Sequence, residues 1–278
     1  MNKKANIING LSTAAIAVFF TQVLHEAVHY ISALIAGAEI RAFNLFAVDI
    51  KLFNEPGYLL HDIAIESSAS IANIIVGIIA LTIFRIFKKS SSVSKQFFLQ
   101  TAGYSFLMGF GYFLFDGLFY NPEVPGDWKS VIRMLDGSIF LRISLIIIGT
   151  CGMLFTFFWL AKNILVFVKN RNDRKERFDA AFPVLLLPYI VFGLLYLFFS
   201  IWHPLGFPQG ILIVFFQFIF GFSGLLWAFF LSVFWLSPNL KDKRYIRLDE
   251  KISISWLVPA LILLVFQAAV LLPTIFFN

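Results

Sequence analysis

Apolar runs of about 20 residues or more, the length that crosses a bilayer as a helix, recur near residues 6–37, 62–87, 97–119, 139–168, 180–201, 209–236 and 253–277. Backbone in lipid must satisfy its own hydrogen bonds, so each run predicts a helix, and seven crossings are expected. The stretch 128–168 would be about 60 Å long as a single helix, twice what the membrane needs. A break near Gly137 is therefore expected, giving a short re-entrant or interfacial helix and then a true span. Residues 38–60 intersperse Arg41, Asn44, Asp49, Lys51 and Asn54, which predicts an extracytoplasmic hairpin or loop. From about residue 180 the spans hold almost no ionisable residue and read as scaffold. The expected architecture is an all-α polytopic membrane protein. Its chemistry-bearing core covers 1–168 and a C-terminal three-helix membrane scaffold covers 178–278.

Composition agrees with lipid as the solvent. Hydrophobic residues make up 59% of the 278 and charged residues 14%, against roughly 25% charged in soluble domains. That excludes a secreted domain, a nucleic-acid binder and a soluble enzyme. The lone Cys151 excludes a disulfide framework and a cysteine-based metal cluster. The first run, after Asn2-Lys3-Lys4, starts like a signal peptide but continues to about Ile40 with no small-residue cleavage site, so it reads as a retained span.

Lysine and arginine fix the orientation. One set of ends carries Lys3 and Lys4, then Arg85, Lys88, Lys89 and Lys95, then Lys162, Lys169, Arg171, Arg174, Lys175 and Arg177, and finally Lys241, Lys243, Arg244, Arg247 and Lys251. The other set has only Arg41, Lys51, Lys129, Arg133 and Arg142. The N-terminus is therefore expected in the cytoplasm of a cell-membrane protein. The cluster Lys169–Arg177 reads as a solvated loop beside anionic lipid.

The first span contains His25-Glu26-Ala27-Val28-His29, an H-E-x-x-H pattern. On a helix the two histidines stand about 40° apart around the axis and about 6 Å along it, so both imidazoles can reach one ion. Neutral imidazole nitrogens suit Zn²⁺, which keeps a position open for water when three protein groups bind it. Glu26 beside it suits a general base that takes a proton from water and later delivers it to a leaving amine. The alternative is a histidine pair satisfied within a helix interface, which ionisable groups inside membranes make the weaker reading.

A third ligand is needed. After the third run, Tyr120-Asn121-Pro122-Glu123-Val124-Pro125-Gly126-Asp127-Trp128 stops the helix in a turn. Asp127 is the candidate, with a helix N-cap as its alternative role and Asp116, Glu123 and Asp136 as rivals. Asp136 lies nine residues on, half a turn out of phase and about 13 Å away on a helix. His25 and His29 fall in the outer half of an outward-running helix, and the turn is also on the outer side, so the three share one depth.

In the second run Glu66, Ser70, Asn73 and Gly77 form one polar stripe, widened by Ser67 and Ser68. It serves either helix packing or a face toward the metal, with Asn73 offering donor and acceptor to a substrate backbone. His61 and His203 read as interfacial loop residues.

Together these residues resemble the site-2 protease family of intramembrane zinc metalloproteases. His25-Glu26-Ala27-Val28-His29 with Ala33 and Gly37 is similar to its H-E-x-x-H helix. Ser68-Ala69-Ser70-Ile71-Ala72-Asn73 is similar to A-G-P-x-A-N, with Ala69 for Gly and Ser70 for Pro. Asn121-Pro122 through Asp127 resembles the N-P…D element, with Trp128 where the family has Gly. The resemblance covers about residues 15–150 and implies a three-helix zinc-protease core, as in short members without a PDZ domain. It implies Zn²⁺ on His25, His29 and Asp127, a catalytic Glu26 and an assisting Asn73. The expected activity is hydrolysis of a peptide bond of a membrane protein or peptide in or near the bilayer, at a site toward the extracytoplasmic side. The competing expectation is a non-proteolytic zinc-binding membrane protein, a binder, immunity or regulatory factor, whose action does not depend on Glu26. A metal transporter would need ligands strung across the membrane, and the sequence offers one site.

Overall fold

The computed structural model describes residues 2–87, 91–235 and 245–277. Lys88, Lys89, Lys241, Lys243 and Arg244, which enter the orientation argument, lie outside the described residues. The chain is predominantly helical. Among the described residues, six helical segments are long and apolar enough to cross a membrane: Lys3–Ala36, Pro56–Ile86, Ile139–Phe167, Arg174–Trp202, Gln209–Trp235 and Ile254–Leu271.

Helix α1 (Lys3–Ala36) opens on Asn2, whose side chain accepts from the Ala5 amide, and closes at Gly37. Gly37 adopts φ +75°, the left-handed conformation that lets a chain leave a helix without steric cost. It leads into an antiparallel hairpin of β1 (Glu39–Asn44) and β2 (Ala47–Lys51). Glu39 pairs with Lys51 across it at 3.2 Å. Asp62, buried in the first turn of α2 (Leu59–Ile86), accepts from the Phe53 and Asn54 amides at 3.1 and 2.9 Å and ties the hairpin to that helix. The polar 38–60 stretch is thus a hairpin, as its pattern allows.

Helix α3 (Ser92–Leu118) is the centre of the bundle and packs against α1, α2 and α5 (Ile139–Ile164). Most of its surface is buried against protein, so it tolerates polar side chains a lipid-facing helix would not. Gln100 Nε2 donates to the Gly10 and Val184 carbonyls, and Thr21 bonds to Ser105 at 3.2 Å. Those groups are why α3 lacks the apolarity of the six segments above. Close approach comes from small residues, as in other membrane bundles. A Cβ on Gly109 of α3 would lie 2.7 Å from the Ser70 carbonyl oxygen of α2. The outward faces of α2 and α5 instead present Ile75, Ile78, Ile79, Phe140, Ile143 and Ile147, all exposed, as contact with lipid requires.

The expected break in 128–168 is present. Helix α4 (Asp127–Met134) ends in a turn where Asp136 and Gly137 take φ +55° and +72°, and α5 then starts under a Ser138 cap. Beyond Ile164 come α6 (Arg174–Ala181), α7 (Leu187–Phe199), α8 (Gln209–Phe216), α9 (Ser223–Phe230) and α10 (Ile254–Phe266). Five-residue π-helical turns join α6 to α7 and α8 to α9 and extend α10.

One strand lies where a helix was expected. The last apolar run is not helical throughout: its helical part ends at Leu271, and β3 (Ile275–Phe276) pairs antiparallel with β1, giving the sheet order β2-β1-β3. Pro273 supplies the reason, since it has no amide to continue a helix; Leu272 before it still has helical backbone angles, and the chain becomes extended only beyond the proline. The segment is held further by Leu45 N–H on the Leu271 carbonyl at 2.8 Å and by the buried Asn44 amide on the Leu272 carbonyl at 2.7 Å.

Candidate metal centre

Three elements converge on one point. His25 and His29 lie one turn apart on α1, and their rings meet edge to face with centroids 5.0 Å apart. Asp127, the first residue of α4, places Oδ2 3.0 Å from His25 Nε2 and 3.2 Å from His29 Nε2. One ligand atom from each of the three lies within 4.8 Å of the others. Tetrahedral zinc with bonds of about 2.0 Å sets its ligand atoms about 3.3 Å apart, so the donor set has the right chemistry and nearly the right spacing.

The tautomers also fit. His29 Nδ1 lies 2.8 Å from the Ile65 carbonyl oxygen. A carbonyl can only accept, so Nδ1 carries the proton and the neutral ring presents its Nε2 lone pair. His25 Nδ1 faces the Asn73 amide at 3.0 Å. Asn73 is fully buried, and the far end of its amide has no hydrogen-bond partner. Turning the amide oxygen toward Nδ1 gives His25 the tautomer of His29, and amide orientation is set by the network in this way. Behind His25, Tyr112 of α3 stacks on the ring at 4.6 Å and 16°.

Glu26 is 3% exposed. Gln22, one turn earlier on α1, donates through Nε2 to Glu26 Oε1 at 3.2 Å and to the Leu45 carbonyl at 3.1 Å. The hairpin tip and the Glu26 carboxylate thus share one amide.

The rival carboxylates sort themselves. Asp127 is not the N-cap expected as its alternative role; Gly126 occupies that position. The capping contact comes from Asp116 at the end of α3, whose Oδ2 accepts from the Trp128 amide at 2.9 Å. Glu123 is exposed in the turn and Asp136 lies in the left-handed turn after α4; neither belongs to the cluster.

The stripe on α2 faces inward: Ser70 accepts from the Trp128 indole at 2.7 Å, Asn73 meets His25, and Gly77 packs under the Phe106 ring. Ser68 accepts from Ser32 of α1 at 2.9 Å. His61 is exposed on the first turn of α2. His203 differs from the interfacial expectation. It is buried, stacked on Phe46 at 5.4 Å, and Nδ1 accepts from the Leu205 amide.

Gln22 and Tyr112 escaped the sequence reading. Gln22 has a faint signal, a polar residue one turn before Glu26 on the same face; Tyr112 has none. Comparison with protein-family models, curated proteins and solved structures finds no match.

Proposed function

We propose that the protein is a multi-pass intramembrane zinc metallopeptidase, of the kind its motifs resemble, that hydrolyses a peptide bond of a membrane protein or peptide. The observation that carries this reading is the meeting of His25, His29 and Asp127 at one point, with Glu26 next in sequence to a ligand, inside an apolar helical bundle. His25 and His29 would hold Zn²⁺ through Nε2 and Asp127 through Oδ2. The ion, when bound, polarises the scissile carbonyl and acidifies a water. Glu26 takes the proton of the attacking water on its carboxylate and returns it to the departing amine nitrogen. Gln22 N–H fixes Oε1 of that carboxylate. Asn73 orients His25 and keeps its second polar atom for an extended peptide backbone.

In this reading α3 is the seventh crossing, the N-terminus is cytoplasmic, and the site opens toward the extracytoplasmic side, where the Asn121–Asp127 turn lies. The α1–α2–α3 unit is the catalytic core, and α4 is an interfacial or re-entrant helix that delivers the third ligand.

The test is zinc content of detergent-purified protein, paired with cleavage of a candidate substrate. About one zinc per chain is expected in wild type, Glu26→Gln and Asp136→Ala, with loss in His25→Ala, His29→Ala and Asp127→Ala. Glu26→Gln is expected to lower cleavage by about 10² or more. Zinc retained together with an unchanged rate in Glu26→Gln overturns the mechanism; a cellular phenotype that survives Glu26→Gln instead favours the non-proteolytic binder.

A further inference from the structure

The third ligand sits at the very start of an eight-residue helix, an insecure place for a group that must be held to a fraction of an ångström. The first amides of any helix lack partners inside it, and so short a helix has little stability of its own. In α4 those amides are met from a different helix. The Asp116 carboxylate, buried in the last turn of α3, accepts from Trp128 N–H at 2.9 Å, and the Lys129 amide is directed at the same group. A carboxylate at a helix N-terminus also gains from the helix dipole. The preceding residue permits the approach: a Cβ on Gly126 would stand 3.1 and 3.2 Å from the two Asp116 oxygens.

A second hold comes from α2. Trp128 Nε1 donates to Ser70 Oγ at 2.7 Å, while the ring meets Phe113 of α3 edge to face at 4.9 Å. Ser70 and Trp128 are two of the positions at which the chain departs from the pattern it resembles, and they are bonded to each other. Main chain and side chain of the residue after Asp127 are thus fixed from two different helices. Apolar burial of Val131 and Ile132 keeps α4 on the bundle, but it is non-directional and does not set the rotation of the helix. One residue of slippage turns α4 by about 100° and would carry Asp127 away from α1.

We propose that Asp116, assisted by the Ser70–Trp128 bond, is the positioning residue for Asp127. It fixes the start of α4 so that Asp127 Oδ2 stands within 3.2 Å of both imidazole nitrogens. Asp116 is not a member of the three-residue cluster and acts only through Asp127. The inference rests on the metal-site reading above.

Its test is zinc affinity of the full chain in detergent, measured by competition with a chromogenic chelator. Asp116→Ala is expected to weaken binding by about 10- to 100-fold, the range seen when outer partners of metal ligands are lost. Asp116→Asn, which keeps an acceptor for the Trp128 amide, is expected to recover most of that loss. Ser70→Ala and Trp128→Phe should each weaken binding less, and their combination no more than either alone, because both remove one bond. Wild-type affinity in Asp116→Ala overturns the proposal, as does an Asp116→Asn variant that binds no better than Asp116→Ala. If Asp116→Ala does not fold, Trp128→Phe decides, and undiminished affinity there overturns the proposal. Zinc bound by wild type with these variants silent refutes only the role of Asp116. A wild type that binds no zinc refutes the metal reading and this inference with it.

Discussion

A histidine's role follows from which of its nitrogens is engaged and by what. His29 is fixed by a carbonyl and His25 by an amide, so both direct Nε2 at Asp127. His203 lies away from that centre and is a different case. Burial pushes its pKa from 6.5 down to about 4, and its Nδ1 lone pair is occupied by the Leu205 amide. The folded chain resists its protonation, whereas the unfolded chain accepts a proton near pH 6.5. The stability it supports is therefore complete above that pH and is lost as pH falls toward about 4. His203→Asn keeps an acceptor for Leu205 and cannot titrate. Its Tm is expected to fall less steeply than wild type across that window; parallel curves would refute the assignment. At this scale the sequence was legible where the candidate residues lay within one helix turn: the spacing of His25 and His29 alone brings their rings together. Asp127 was legible from the proline-rich turn, though its capping alternative stayed open until Asp116 was seen to cap α4. Gln22, Tyr112 and the Asp116 contact were not legible, because each depends on which helix stands opposite.

Among the elements, the helices and the Gly137 break followed from apolar run length and turn chemistry, both local properties. The strand Ile275–Phe276 did not, since its partner β1 lies more than 200 residues away in sequence. Its apolar side chains extend a membrane run, and only Pro273 hinted at a change of backbone. Asn44 is the residue that recognises this segment. It is fully buried, donates to the Leu272 carbonyl and Thr274 Oγ1, and accepts from the Phe46 amide. Asn44→Ala leaves those partners unmet and is expected to destabilise the chain by about 1–3 kcal/mol. Removing residues 272–277 should reduce the cost of Asn44→Ala to that of its bond with the Phe46 amide, because the contacts with Leu272 and Thr274 are then already gone. Additive losses in thermal unfolding would contradict this account.

For the whole molecule, the central helix α3, packed against α1, α2 and α5, is less apolar than any of the six strongly apolar segments found among the described residues. Hydropathy registers contact with lipid, so it understates the helix that touches lipid least. Orientation rests on the basic residues, several of which flank Lys169 in the loop after α5. In a Cys151→Ser background, Glu123→Cys is expected to react with a membrane-impermeant maleimide in intact cells, and Lys169→Cys only after permeabilisation. The opposite pattern would invert the topology and move the metal centre to the cytoplasmic side.

The Leu45 peptide group joins the two ends of this architecture. Its N–H is taken by the Leu271 carbonyl and its C=O by the Gln22 amide that also holds Glu26. Leu271 lies more than 200 residues after Leu45 in sequence, so this tie can form only after all the intervening helices have been translated. Until then the Leu45 amide lacks the carbonyl that holds it in the folded chain.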